Sequence, residues 1–225
     1  MKKYSAVIFD MDGTIVDTSG IWLACNKNFL LHHNVYSEAN YDQLNNLLHG
    51  VHPADYTDKI KKLFHLEDVS DDLIIKQFDD LAKKYYEMEV KYIKNCEFFI
   101  QKLIELGIVI AIATNACDYG IQKIDKVVDL KKYFNDNIYG ISVVNYKRKP
   151  APDIYEFVAK KINKVPEECI VFEDSLHGIT AAKNANMYTI AINTSCLDPA
   201  IIHADKVINC YSEIDLNDFF CVKKD

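Results

Sequence analysis

The sequence predicts an α/β protein: a Rossmann-like, mostly parallel sheet flanked by helices, with an all-helical cap domain inserted after the first strand. Three observations carry this expectation. Short apolar runs of strand length alternate with helix-length amphipathic segments, the pattern of parallel strands joined by crossover helices. The first run, Ala6-Val7-Ile8-Phe9, stops at Asp10-Met11-Asp12-Gly13, where a buried strand meets two carboxylates and a glycine that permits a sharp exit. From about Val16 to Lys91 no convincing strand appears and helical spacing takes over.

Taken in order, the strands are expected at Ala6–Phe9, Ile108–Ala113, Ile138–Ile141, Cys169–Phe172, Thr189–Ile192 and Lys206–Ile208. Helices are expected at Cys96–Leu106, Tyr119–Val128, Pro152–Ile162 and Ser175–Ala185, between the later strands. Within the insert, Ile74, Phe78, Leu81, Tyr85 and Met88 recur at steps of four and three, and Ile21, Cys25 and Phe29 mark a second helix. The packing of helix on helix explains both stripes. The expected domains are therefore an α/β core of residues 1–15 and 92–225 and a helical cap of residues 16–91.

Composition narrows the function. With 225 residues, 49% of them hydrophobic and 26% charged, the chain has ample core for a soluble domain. A net charge of −7 offers no attraction to a nucleic acid polymer or an anionic membrane, and Arg148 is the sole arginine. Seven widely spread cysteines without a C-x-x-C pair argue against a disulfide framework or a zinc site. No apolar leader pattern precedes the first strand, and no run approaches membrane-spanning length. The expectation is a cytoplasmic protein with reduced cysteines, acting as a monomer.

Four strand ends finish in chemically useful residues: Asp10 with Asp12; Thr114 with Asn115; Lys149 in Lys147-Arg148-Lys149-Pro150; and Glu173-Asp174-Ser175. Ligands of open parallel sheets bind at the carboxyl ends of strands, so these groups can converge on one pocket. Asp10 and Asp12, at i and i+2, leave the strand toward the same side, roughly 6–7 Å apart. One can act as nucleophile while the other carries protons, with a divalent cation screening their repulsion. Asp10, Asp174 and the carbonyl of residue 12 are hard oxygen donors of the kind Mg²⁺ prefers. A cation and Lys149 together offset the charge of a phosphate dianion, and Thr114 can hydrogen-bond its oxygens. Phosphoryl transfer is the chemistry that uses this whole inventory.

With these motifs in view, the chain resembles the haloacid dehalogenase-like hydrolase superfamily, in the helical-cap branch that includes phosphosugar phosphatases and β-phosphoglucomutase. Phe9-Asp10-Met11-Asp12-Gly13-Thr14 is similar to the first family motif, Thr114 to the second, Lys149-Pro150-Ala151-Pro152-Asp153 to the third, and Glu173-Asp174-Ser175 to the fourth. The resemblance implies that Asp10 forms an aspartyl-phosphate and that Asp12 serves as general acid, then base. It further implies that Asp10, Asp12 through its carbonyl, Asp174 and Glu173 surround Mg²⁺, while Thr114, Asn115 and Lys149 bind the phosphoryl group of a small phosphorylated metabolite. Trp22, His49 and His52 are the residues of the insert expected to face substrate. Trp22 stands where the mutases carry histidine, and the stretch Leu48–Pro53 supplies no arginine clamp, so a phosphatase is expected ahead of a mutase; a non-catalytic binding protein on the same fold is the third reading. Asn95-Cys96 replaces the usual proline-glycine before the next helix, and Arg148 stands where relatives often place glycine.

Overall fold

The computed structural model describes residues 4–48, 51–86, 90–194 and 202–221, which fall in two compact units. One comprises Met1–Asp17 with Val90–Asp225, the other Thr18–Glu89. In chain order, β1 (Ala6–Phe9) and β2 (Val16–Asp17) precede α1 (Ser19–His32), α2 (Glu38–Leu47), α3 (Thr57–Phe64), α4 (Asp71–Tyr85) and β3 (Lys91–Tyr92). There follow α5 (Cys96–Glu105), β4 (Val109–Ala113), α6 (Asp118–Val128), α7 (Lys131–Phe134) and β5 (Ile138–Tyr139). The chain continues through α8 (Asp153–Lys161), β6 (Cys169–Glu173), α9 (Leu176–Asn184), β7 (Tyr188–Ile192), β8 (Lys206–Ile208) and α10 (Leu216–Phe219). No helix among the described residues is long and apolar enough to cross a membrane.

The main sheet runs β5-β4-β1-β6-β7-β8, and every neighbouring pair is parallel. Strand order reverses around β1, the switch point at which open parallel sheets place their ligand crevice. Phe9 lies opposite Ile112 of β4 and Phe172 of β6, so Asp10, Thr114 and Glu173 emerge at neighbouring strand ends. Period-two alternation divides β1 between two layers. Ala6 and Ile8 join Ile154, Tyr155 and Val158 of α8 and Ala181 and Ala182 of α9, whose small side chains let the helix approach the sheet. On the other face Phe9 stacks on Phe172 at 5.4 Å and meets Phe99 of α5 edge-on at 6.3 Å.

The six expected strands all form, Ala6–Phe9 and Lys206–Ile208 with the expected ends and the other four with shifted ones. The one expected at Ile138–Ile141 keeps only Ile138–Tyr139, because the chain turns after Gly140 into a 3₁₀ turn at Ile141–Val144. The interval from Val16 to Lys91, read as strand-free, begins and ends in a two-stranded ribbon: Val16 pairs with Tyr92 and Asp17 with Lys91, antiparallel. Two residues per strand are too few to register as periodicity. Asn95, in the proline-glycine position, adopts φ +64°, a left-handed conformation that asparagine tolerates better than most residues.

Within Thr18–Glu89, α1 packs on α4 through stacked Phe29 and Phe78, 4.5 Å apart. Ser37 and Ser70 start α2 and α4 by accepting the backbone N–H of Asn40 and Leu73. The buried stripe of α4 is Ile74, Phe78 and Ala82; Leu81 and Tyr85 of the expected stripe are half-buried and Met88 lies outside the described residues. His33 is half-buried and its Nε2 is hydrogen-bonded to Gln77 Oε1 at 2.8 Å.

Candidate active site

β1 ends beneath the site. Asp10 N–H donates to the Phe172 carbonyl at 3.0 Å, extending the ladder one residue past the strand. The chain then reverses: Ile15 and Val16 N–H both donate to the Met11 carbonyl, and Gly13 takes φ +79°. A Cβ at position 13 would overlap the Asp174 carboxylate, so glycine is needed there for room as well as for backbone conformation. Thr14 Oγ1 donates to Asp174 Oδ1 at 3.2 Å, and Thr194 Oγ1 donates to the Gly13 carbonyl at 2.6 Å. This turn is held from both sides.

Lys149 ties the strand ends together. Its ammonium, 3% exposed, donates to Asp10 Oδ1 at 2.6 Å, Glu173 Oε1 at 2.8 Å and the Ala113 carbonyl at 3.0 Å. An ammonium has three protons, so all are assigned. Glu173 is saturated in turn: Oε1 also accepts from Tyr155 OH at 3.2 Å, and Oε2 accepts from Ser175 N–H at 2.8 Å and Ser175 Oγ at 3.0 Å. Ser175 meanwhile caps α9 by accepting Gly178 N–H at 3.0 Å. A Cβ at 178 would overlap the Glu173 carboxylate.

Burial holds the Asp10 carboxyl well above the usual carboxylate range, and nearby Glu173, Asp174 and Asp12 add to this against the pull of Lys149. For Lys149 burial works the other way, yet Asp10 and Glu173 more than reverse it, so the amine stays protonated. Three buried carboxyl groups thus gather around one ammonium. Oxygens of Asp10, Glu173 and Asp174 lie within 4.8 Å of one another. The hard oxygen donors and the room left for Asp174 beside Gly13 fit a small divalent cation.

Other residues singled out in the sequence are placed as follows. Thr114 is buried; its Oγ1 accepts Ala116 N–H at 3.0 Å, which leaves its own proton to donate. Asn115 meets the cluster through the backbone, its Oδ1 accepting Lys149 N–H at 3.1 Å. Asp12 follows Asp10 in the turn, half-buried. In the helical unit Trp22 is half-buried on α1, and His52 Nδ1 accepts Ala54 N–H at 3.1 Å. His49 lies outside the described residues. Arg148 is half-buried with an Nε that has no hydrogen-bond partner. Sequence reasoning missed Tyr155, which falls in the helix expected at Pro152–Ile162 without being singled out. The available signal was chemical: a tyrosine on a buried helix face needs a partner for its hydroxyl.

Acidic and lysine side chains gathered at the switch point of an open parallel sheet define a candidate catalytic centre in an α/β fold. The model of the haloacid dehalogenase-like hydrolase family matches residues 7–192, most of the chain, and the protein belongs to that family. A phosphorylated carbohydrates phosphatase of Thermotoga maritima is 30% identical over 195 residues, covering 82% of this chain and 83% of that one. A haloacid dehalogenase-like protein of unknown function from Agrobacterium tumefaciens superposes with a TM-score of 0.75 at 26% identity, covering 93% and 95% of the two chains. A family hydrolase from Entamoeba histolytica shares the fold at a TM-score of 0.80 and 24% identity, over 95% and 96%.

Proposed function

We propose that this hydrolase is a Mg²⁺-dependent phosphatase that cleaves a small soluble phosphomonoester, such as a sugar, polyol or nucleoside monophosphate, through an aspartyl-phosphate on Asp10. The observation that carries the reading is the Lys149 ammonium bonded to Asp10 Oδ1 at 2.6 Å inside a buried carboxylate cluster at the ends of β1 and β6. The phosphatase similarity over 82% of the chain supports it.

In the first step a carboxylate oxygen of Asp10 attacks phosphorus, the bond to the leaving alcohol breaks, and Asp12 gives that alcohol a proton. In the second, Asp12 takes a proton from water, the water oxygen attacks phosphorus, and the acyl-phosphate bond breaks to return Asp10. Lys149, with its three protons assigned at rest, turns one from Asp10 to a phosphoryl oxygen as the carboxylate becomes an ester. Thr114 donates its proton to a second oxygen. Mg²⁺, held by Asp10, Asp174 and the Asp12 carbonyl, would neutralise phosphoryl charge when bound. Within this reading Glu173 serves Lys149, since protein donors occupy both its oxygens. The helical insert selects the substrate, through Trp22, His49 and His52. A mutase would need a cationic clamp for a bisphosphate, and the one arginine, Arg148, belongs to the α/β unit.

The test is phosphate release from p-nitrophenyl phosphate and a panel of metabolite phosphates, with Mg²⁺ or with EDTA. Release should require Mg²⁺, and Asp10→Asn should abolish it. Undiminished turnover by Asp10→Asn would overturn the assignment. Conversion of a sugar 1-phosphate to its 6-phosphate faster than phosphate appears would replace phosphatase with mutase.

A further inference from the structure

We infer that Tyr155 is a positioning residue for phosphoryl transfer: its ring and hydroxyl complete a box that fixes the direction in which Lys149 presents its ammonium. The inference rests on the phosphatase reading for its kinetic consequence, but its geometry stands apart from it.

Lys149 Nζ lies over the Tyr155 ring, 4.7 Å from the centroid. Three sides of the ammonium face oxygens of Asp10, Glu173 and Ala113, and the aromatic face occupies another. The hydroxyl of the same tyrosine donates to Glu173 Oε1, the oxygen that also receives Lys149. One side chain therefore touches the cation directly and orients the anion that pairs with it. Tyr155 is fully buried on the first turn of α8, six residues beyond Lys149, and its N–H donates to the Pro152 carbonyl. Turn and helix thus bring the ring back beneath the lysine.

The hydroxyl has a specific consequence for Glu173. With it, Oε1 has two donors and Oε2 two, and the carboxylate is held on every side. Without it, Oε1 keeps only the lysine, and the carboxylate can pivot about its Ser175 contacts at Oε2 and carry the ammonium with it. Phenylalanine at 155 would keep the ring but lose this hold; leucine would lose both. The ammonium gains most from correct placement when phosphoryl charge is greatest, so misplacement lowers kcat more than it raises KM.

The experiment compares wild type, Tyr155→Phe and Tyr155→Leu, each verified as folded by circular dichroism. Kinetics on p-nitrophenyl phosphate at saturating Mg²⁺ should show kcat about five- to twentyfold lower for Tyr155→Phe, with little change in KM, and a larger loss for Tyr155→Leu. A purely structural hydroxyl would lower the melting temperature and leave kcat per folded molecule unchanged, which would overturn the inference. In a Glu173→Gln background the Tyr155→Phe effect should shrink, since the hydroxyl acts through that carboxylate; full additivity would count against it. A second readout needs no activity. The buried Lys149 ammonium, identified by its loss in Lys149→Met, should give a ¹⁵N–¹H resonance shifted upfield by the ring in wild type and Tyr155→Phe but not in Tyr155→Leu. An unshifted wild-type resonance would sink the inference even in an active phosphatase. An inactive wild type with the shift present would sink the phosphatase reading alone.

Discussion

Replacing Lys149 with methionine tests the buried ion cluster most directly. Methionine keeps most of the stem while deleting the ammonium that lies over the Tyr155 ring. Asp10, 7% exposed, then loses its lysine partner, and the Ala113 carbonyl loses a donor. Glu173 fares better, because Tyr155 and Ser175 still donate to it. Breaking a buried ion pair from one side destabilises by about 3–5 kcal/mol, and an abandoned buried carbonyl adds about 1–3 kcal/mol. Improved apolar packing offsets only a small part, so a net loss of about 4–6 kcal/mol is expected at pH 7.5. The loss is pH-dependent with a definite sign. Without the ammonium, the folded-state pKa of Asp10, already raised by burial and its acidic neighbours, rises further. A raised carboxyl contributes stability at low pH and withdraws it as pH climbs from its unfolded value of about 3.9 through the folded one. The variant should therefore suffer less at pH 5 than at pH 7.5. Urea unfolding in EDTA measures both, and with a slope of about 2–3 kcal/mol per molar the midpoint should fall by about 1.5–3 M at pH 7.5. Tyrosine near-ultraviolet dichroism is the better probe, because the sole tryptophan, Trp22, belongs to the helical unit and reports on that unit. A midpoint within about 0.3 M of wild type, or a larger loss at pH 5, would refute the reasoning. The triple variant Asp10→Asn, Lys149→Met, Glu173→Gln removes all three charges and should recover most of the stability.

Two further outcomes follow from packing and burial. Alanine is a better helix former than glycine by about 1 kcal/mol, yet Gly178→Ala should destabilise by about 2 kcal/mol or more, since its Cβ would overlap the Glu173 carboxylate; urea unfolding gives the sign. Burial pushes the thiols of Cys25, Cys96 and Cys169 up to about 12, against about 8.5 for an unfolded cysteine. Between those values the unfolded chain has shed protons that the folded chain keeps, so each thiol withdraws about 1.4 kcal/mol per pH unit. The melting temperature should fall steeply from pH 9 to pH 11, and alanine at all three positions should flatten that slope.

What was legible in the sequence divides along the range of the interactions involved. β1, β4 and β6 announce themselves because both sheet faces are covered, which leaves uninterrupted runs such as Ala6–Phe9 and Cys169–Phe172. Ser37, Ser70 and Ser175 start helices by contacts three residues long, within reach of local reading. The ribbon of Val16–Asp17 with Lys91–Tyr92 joins residues about 75 apart and carries no local pattern. The site follows the same division. Its acidic and lysine residues could be nominated from motif and strand end. That Asn115 holds the Lys149 backbone, that Glu173 has four protein donors, and that Tyr155 supplies one of them are facts of side-chain placement.

That placement also explains why a fold would accept so many ionisable groups in its interior. Three acidic side chains and one lysine, all under 9% exposed, are a poor source of stability, because desolvation consumes most of what their attraction returns. Glu173 and Lys149 neutralise each other and are fully bonded, so they form a fixed base. Asp10 shares the same ammonium at 2.6 Å, and Asp174 lies beside the turn whose glycine leaves it room. A fold that merely needed a packed sheet would have placed apolar residues at these strand ends. Three carboxyl groups around one ammonium make a set of hard oxygen donors that fits a divalent cation. Glu173→Gln and Asp174→Asn should then differ in kind: the first disturbs how Lys149 is held, the second how strongly the site attracts a divalent ion. Titration of Mg²⁺ by calorimetry separates them, with a loss of affinity expected mainly for Asp174→Asn.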